Sequence, residues 1–259
     1  IKMNMKKLAN YFAHGEVNAV HIDACGAQIN VKSTAKAELC IQYSKSFRPT
    51  LAESEGRLEI RQNKVLFART RRPEITVFVP ESMVPDVNVS LAKGGVAIDG
   101  GFYGDVTVAG KMLKVSVKHA TFENLYVKAD ELDISAEGIT VKNLANALAK
   151  GGRVEIDKTF CKKAECRIKK GNIGLCNSAC DFAVLNSEDG NIAASMLGCE
   201  NDYTIELEGA AVSGKDNLSA SGKSIRARAA RGSVVLDFAE APLFDEAFEN
   251  SFGEEEVSA

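Results

Sequence analysis

Tryptophan is absent from this 259-residue sequence, and Phe and Tyr raise the aromatic share to only 7%. Proteins that hold single-stranded nucleic acid stack bases on aromatic rings, so that class is disfavoured. Charge of one sign is not in excess either. The 32 basic side chains face 35 acidic ones, a net charge of −3. Such balance gives no global field for gathering nucleic acid or an anionic membrane. No apolar run approaches the roughly 20 residues that a spanning helix needs. The chain begins at Ile1, so the lack of a leader within it carries no weight. Histidine is sparse, and His14, His21 and His119 are isolated. His21 alternates with Val20 and Ile22 and reads as a strand histidine, solvent-facing or internally satisfied. No Ser or Cys stands in a nucleophile-elbow context. Gly94-Gly95 and Gly100-Gly101 lack the flanking residues of a phosphate cradle.

Seven cysteines are present, an odd number and too few for a secreted disulfide scaffold. Cys161, Cys166, Cys176 and Cys180 cluster in sequence, but no C-x2-C knuckle occurs among them. Their phase points to packing. Cys161, Cys180 and Cys199 recur every nineteen residues, the same interval as Gly152, Gly171, Gly190 and Gly209. Two columns sharing one period make an internal repeat, and a period near twenty indicates a stacked solenoid. Thiols one coil apart then form an axial column rather than a tetrahedron. No metal and no cofactor are therefore expected, and Cys25 and Cys40, in strand-like runs, read as core residues.

Each block carries short apolar or alternating runs, V-E-I, I-G-L and T-I-E-L among them, punctuated by Gly, Asn and Asp. The reading is an all-β fold: a single-stranded, β-helix-like solenoid built from Gly-apolar repeats, with short capping segments at both ends. Residues 152–208 are taken as three coils, with Cys161, Cys180 and Cys199 inward beside a column of Val154, Ile173 and Ile192. Residues 1–15 are expected to cap the solenoid as a short amphipathic helix, since Leu8, Tyr11 and Phe12 share a helical face. The solenoid domain is placed at 16–238. Within it, 44–56 reads as an exposed connection, and the runs on either side of Gln62-Asn63 read as a hairpin. Arg69, Arg71 and Arg72, the densest basic cluster, read as a solvated turn. The acidic segment 239–259 is expected to form a short amphipathic helix, because Phe244, Phe248 and Phe252 recur at i, i+4 and i+8 between Pro242 and Gly253.

The strand I-T-V-F-V-P, followed by repeats of S/A-x-G-x-I/V-x-I/V/L, resembles the bacterial putative-adhesin family of β-strand-repeat proteins over roughly residues 16–238. The resemblance implies a β-solenoid, brings no catalytic residues to carry over, and suggests a link with the cell envelope. A column of reduced cysteines keeps the cytoplasm open as well.

Enzymes built on β-helices cluster carboxylates on one face, and Asp99, Asp105, Asp130, Asp133, Asp157 and Asp189 are the candidates here. Acidic residues also favour turns, and no convergent acid, base or nucleophile set is visible. The sequence thus points to a non-catalytic, adhesin-like binding or scaffolding module. Its expected partner is a glycan, an envelope polymer or a protein, and not nucleic acid. A polysaccharide-acting β-helix enzyme and a self-associating structural protein are the alternatives.

Overall fold

Alternating apolar residues bury every second side chain of a strand, and a near-constant period lays each stretch directly over the one before. That rule builds the whole molecule. The computed structural model describes residues 8–62 and 73–239. The N-terminal strands are β1 (Leu8–Phe12), β2 (Ala19–Ala24), β3 (Gln28–Thr34), β4 (Cys40–Ser44), β5 (Thr50–Ser54), β6 (Arg57–Gln62) and β7 (Glu74–Pro80). Longer strands follow: β8 (Asp86–Asp99), β9 (Phe102–Lys118), β10 (Thr121–Glu137), β11 (Thr140–Asp157) and β12 (Phe160–Asp189). β13 (Ile192–Leu197), β14 (Tyr203–Ser213) and β15 (Lys223–Ala239) complete one 15-stranded sheet. Two 3-10 turns, Lys45–Phe47 and Glu200–Asp202, are the only helical elements among the described residues.

Strands β8 to β11, of 14 to 18 residues, are each bent at a corner into two arms. β12 continues through one coil into the first arm of the next, whose second arm is β13. The second arms stack in parallel register. Ile75, Ile29, Val96, Val115, Ile134, Val154, Ile173, Ile192 and Val234 lie one over the next, and all are buried. The expected Val154–Ile173–Ile192 column is thus part of a ladder running nearly the length of the molecule.

The corner explains the glycines. A Cβ on Gly152, Gly171, Gly190 or Gly232 would stand 1.8–2.0 Å from the carbonyl oxygen of the coil beneath, so only hydrogen fits. Gly209 is not in this column, contrary to the block pattern. It pairs with Ala229, and Gly232 takes the corner over Gly190. The turn between coils repeats a left-handed residue: His119, Gly138, Lys158 and Asn177 have φ of 50, 62, 50 and 46°. The N–H of His119 donates to the Glu137 carbonyl at 3.1 Å, and that of Lys158 to the Cys176 carbonyl at 3.1 Å. His119 is therefore a turn residue.

Sequence order and spatial order part at both ends. β6 and β7 form the coil outside β2 and β3, which pair onward to β8. At the other end β15 slots between β12–β13 and β14. Residues 214–221 then fold over the outer edge of β14. Ile205 and Asn217 exchange backbone hydrogen bonds of 2.8 and 3.2 Å, and the Leu207 N–H donates to Asp216 Oδ1 at 2.9 Å. That shields part of an edge that would otherwise invite strand addition.

Three local expectations are corrected. Leu8–Phe12 is not helical but a strand antiparallel to β4. Its five residues alternate in exposure, and pairing with an open edge outweighs the weak stability of so short a helix. The stretch 44–56 is not a plain connection, since it contains β5, which forms a hairpin with β6 through Glu55 and Gly56. The positive φ of both turn residues suits a tight hairpin. Cys199 does not continue the cysteine column. It is exposed at the start of the second 3-10 turn, because the chain leaves the coil at Gly198. The segment 64–68, Arg69, Arg71 and Arg72, and the C-terminal helix expected at Phe244–Phe252 lie outside the described residues.

Candidate functional site

Along the first arm, the last outward position before the corner forms a surface column. Lys128 stands beside Leu148, and Leu148 beside Arg167. Asn186 follows nineteen residues on within β12 and lies beside Arg228. Alternation forces these side chains outward, because Val127 and Ala129, Ala147 and Ala149, and Cys166 and Ile168 turn toward the core. With the corner residues Asp130, Lys150, Lys169 and Glu188 they line an open groove of about 700 Å³. The backbone corner makes its floor, and same-position side chains of five coils make its walls.

The groove is predominantly cationic, with five basic side chains against two carboxylates. Lys150 binds Asp130 at 2.8 Å, and this hydrogen bond and its charge hold the Asp130 carboxyl below the usual carboxylate range. Arg228 reaches Glu208 at 3.1 Å, and Arg167 lies 3.8 Å from Glu165. Lys128 and Lys169 form no ion pair among the described residues.

The candidate carboxylates do not converge. Asp105 accepts from Asn124 at 2.7 Å and Asp157 from Asn177 at 2.9 Å. Asp133 faces Lys114 at 3.7 Å, and Asp189 faces Arg231 at 3.4 Å. Asp99 ends β8. Asp99 and Asp157 share one column but stand three rungs apart, with Lys118 and Glu137 between them. The others lie at different stations, and most are tied to a neighbouring rung, as are Glu137 to Lys118 and Glu123 to Lys142. Of the histidines, His21 is half-buried beside Arg57, whose guanidinium lies 2.9 Å from Nε2. Burial first, then that charge, lowers its pKa. The backbone N–H of His14 donates to Glu53. Among the described residues, no three His, Cys, Asp or Glu side chains group in a way that could hold a metal ion.

Cys161 and Cys180 belong to an internal column, whereas Cys166 is buried beside Ala147 and Cys176 and Cys199 are exposed. Tyr103, Phe122, Val141 and Cys161 stack in register, with the two rings 5.5 Å apart. Cys180 follows, hydrogen-bonded to Cys161. The column shrinks from aromatic to thiol, which leaves a cleft of about 450 Å³ between Cys161, Cys180, Leu197 and Tyr203. Hydrogen bonding to Cys161 and burial hold the Cys180 thiol well above its ordinary pKa, and burial pushes Cys166 up to about 12. These are protonated packing thiols, poor nucleophiles and poor metal ligands.

The groove had not been singled out from sequence. Its cations come from separate repeats, and no local run marks them.

A family model described as Toastrack DUF4097 matches residues 17–246. No curated protein matches the chain. Solved structures similar to it include a putative adhesin from Bacteroides fragilis NCTC 9343, 14% identical, covering 91% of this chain and 98% of that one, with a TM-score of 0.43. A putative adhesin from Parabacteroides merdae ATCC 43184 is 12% identical, covering 90% and 95%, with a TM-score of 0.31. A putative lipid binding protein from Parabacteroides distasonis ATCC 8503 is 12% identical, covering 90% and 95%, with a TM-score of 0.32.

Proposed function

Because this chain belongs to the Toastrack DUF4097 family, we propose that it acts as a non-catalytic, adhesin-like module that binds or scaffolds an extended partner. The observation that carries this reading is the corner groove. It runs along the solenoid axis and is walled by equivalent side chains of five coils, so it presents a repeated surface rather than an enclosed pocket. Repeated surfaces of this kind suit elongated ligands such as a glycan, an envelope polymer or an extended protein segment. A glycosidase generally needs two carboxylates about 5–10 Å apart with separated pKa values. Of the two groove carboxylates, Asp130 and Glu188, Asp130 is instead tied to Lys150.

The test is binding of the whole chain to immobilised glycans, envelope polymers and proteins, with sugar release measured in parallel. Retention of a partner without turnover supports the proposal. Release of new reducing ends refutes it in favour of an enzyme. Retention of nothing, with a mass that rises with concentration in light scattering, refutes it in favour of self-association.

A further inference from the structure

We propose that the corner groove binds a linear acidic polysaccharide laid along the solenoid axis, with its anions on alternate rungs. This rests on the binding-module reading above and adds the chemistry of the ligand. Charge comes first. The groove is net cationic in a chain whose overall charge is −3, so an anion is drawn to this face against the average field of the molecule. Its cations differ in how they are engaged. Arg228 is paired with the exposed Glu208 at 3.1 Å and would share its guanidinium with a ligand, whereas three others are less engaged. Lys128 and Lys169 lack acidic partners among the described residues, and Arg167 has only the 3.8 Å contact with Glu165.

Spacing then selects a polymer. Lys128, Arg167 and Arg228 occupy alternate rungs of one column, separated by Leu148 and Asn186. At about 4.8 Å per rung, they recur roughly every 9.6 Å over about 19 Å. A compact anion meets one of them. A sugar chain with one carboxylate per disaccharide has an anion spacing comparable to two rungs and meets all three. Between the charges, Leu148 offers an apolar contact for a sugar ring face, and the Asn186 amide can pair with hydroxyls. Among the described residues no aromatic ring lines the groove, so they offer no stacking platform of the kind single-stranded nucleic acid requires. It is open to solvent along its length rather than an enclosed cavity of the kind that would take an acyl chain.

The experiment titrates the whole chain with hyaluronan oligosaccharides, which carry one carboxylate per disaccharide, at low and at physiological salt. Saturable binding that weakens with salt is expected. The combined Lys128→Gln, Arg167→Gln, Arg228→Gln variant should bind at least about ten-fold more weakly and melt like the parent, since all three side chains are exposed. Lys142→Gln, outside the groove, should bind like the parent. The proposal is overturned if hyaluronan does not bind, or if the triple variant binds it as well as the parent does. Tighter binding of phosphatidylglycerol vesicles or single-stranded DNA would also overturn it and reassign the groove. Capture of a neutral glycan or a protein without hyaluronan refutes the ligand class alone and leaves the binding-module reading standing.

Discussion

Replacing Gly171 with alanine puts a Cβ 1.8 Å from the carbonyl oxygen of Gly152 and 2.8 Å from its carbonyl carbon. Both lie far inside ordinary contact, and both atoms are backbone, so no side chain can swing away. Stacked rungs sit about 4.8 Å apart and are hydrogen-bonded along their length, which leaves the coils little freedom to separate. Gly171 also has φ of +146°, a region that a residue with a Cβ enters at a cost of about 1–3 kcal/mol. Overpacking adds about 1–3 kcal/mol. The expected loss is thus about 2–6 kcal/mol, a large part of the stability of an ordinary domain.

Gly174 supplies the control three residues away. Its Cβ would meet nothing closer than the Val154 oxygen at 3.8 Å, and its position faces outward on the strand. Gly174→Ala should be neutral or stabilising by about 0.4–1 kcal/mol, because it narrows the unfolded ensemble without straining the folded one. Urea unfolding followed by far-UV circular dichroism compares the two. A Gly171→Ala midpoint equal to that of Gly174→Ala would refute the stacking of carbonyl over glycine, and with it the register of the whole corner column.

Two further outcomes follow from the interior. Cys180→Asp places a carboxylate in the buried column and should destabilise by at least about 3 kcal/mol, whereas Cys180→Ala should cost about 1–2 kcal/mol; an Asp variant melting at the parent temperature would mean that Cys180 faces solvent. Burial raises the Cys166 thiol and, as the main cause, the Tyr203 phenol, each to about 12. Both are raised above their unfolded values of about 8.5 and about 10, so their stabilisation is complete below about pH 8.5 and is lost as pH rises toward 12. The denaturation midpoint should fall across that window and fall less in Cys166→Val, and a flat profile would contradict the burial.

Much of the fold was legible because the information is local and repeated. Alternation fixes which face of a strand is buried, and the nineteen-residue spacing fixes what stands above it. Val154, Ile173 and Ile192 can therefore be placed in one column from the sequence alone. The ends were less legible, because there the pairing is decided by chain segments far apart in sequence. Nothing near Gly209 states that β15 will enter between β13 and β14, yet that exchange removes Gly209 from the corner and gives its place to Gly232. Cys199 shares the interval of Cys161 and Cys180 but follows Gly198, where the chain has already left the coil. Leu8, Tyr11 and Phe12 share a helical face, but Ala9 and Tyr11 also share one face of a strand. Pairing with the open edge of β4 turns those two toward the core and leaves Leu8 and Phe12 exposed.

The groove shows why a site on a solenoid escapes a reading that looks for runs. Arg69, Arg71 and Arg72 drew notice because they are neighbours in sequence, while the groove cations are neighbours only across rungs. Lys128 and Arg167 are 39 residues apart, two periods, which an axial reading recovers. Arg167 and Arg228 are 61 apart, and at about twenty residues per coil Arg228 would be placed three rungs away. The pairing of Asn186 with Arg228 makes it two, because β14 has been moved outward past β15. Without that exchange the third cation would fall out of step with the first two. The even spacing on which an extended anion depends is therefore a product of the topology at the C-terminal end, and it can be read only once the rungs are in order.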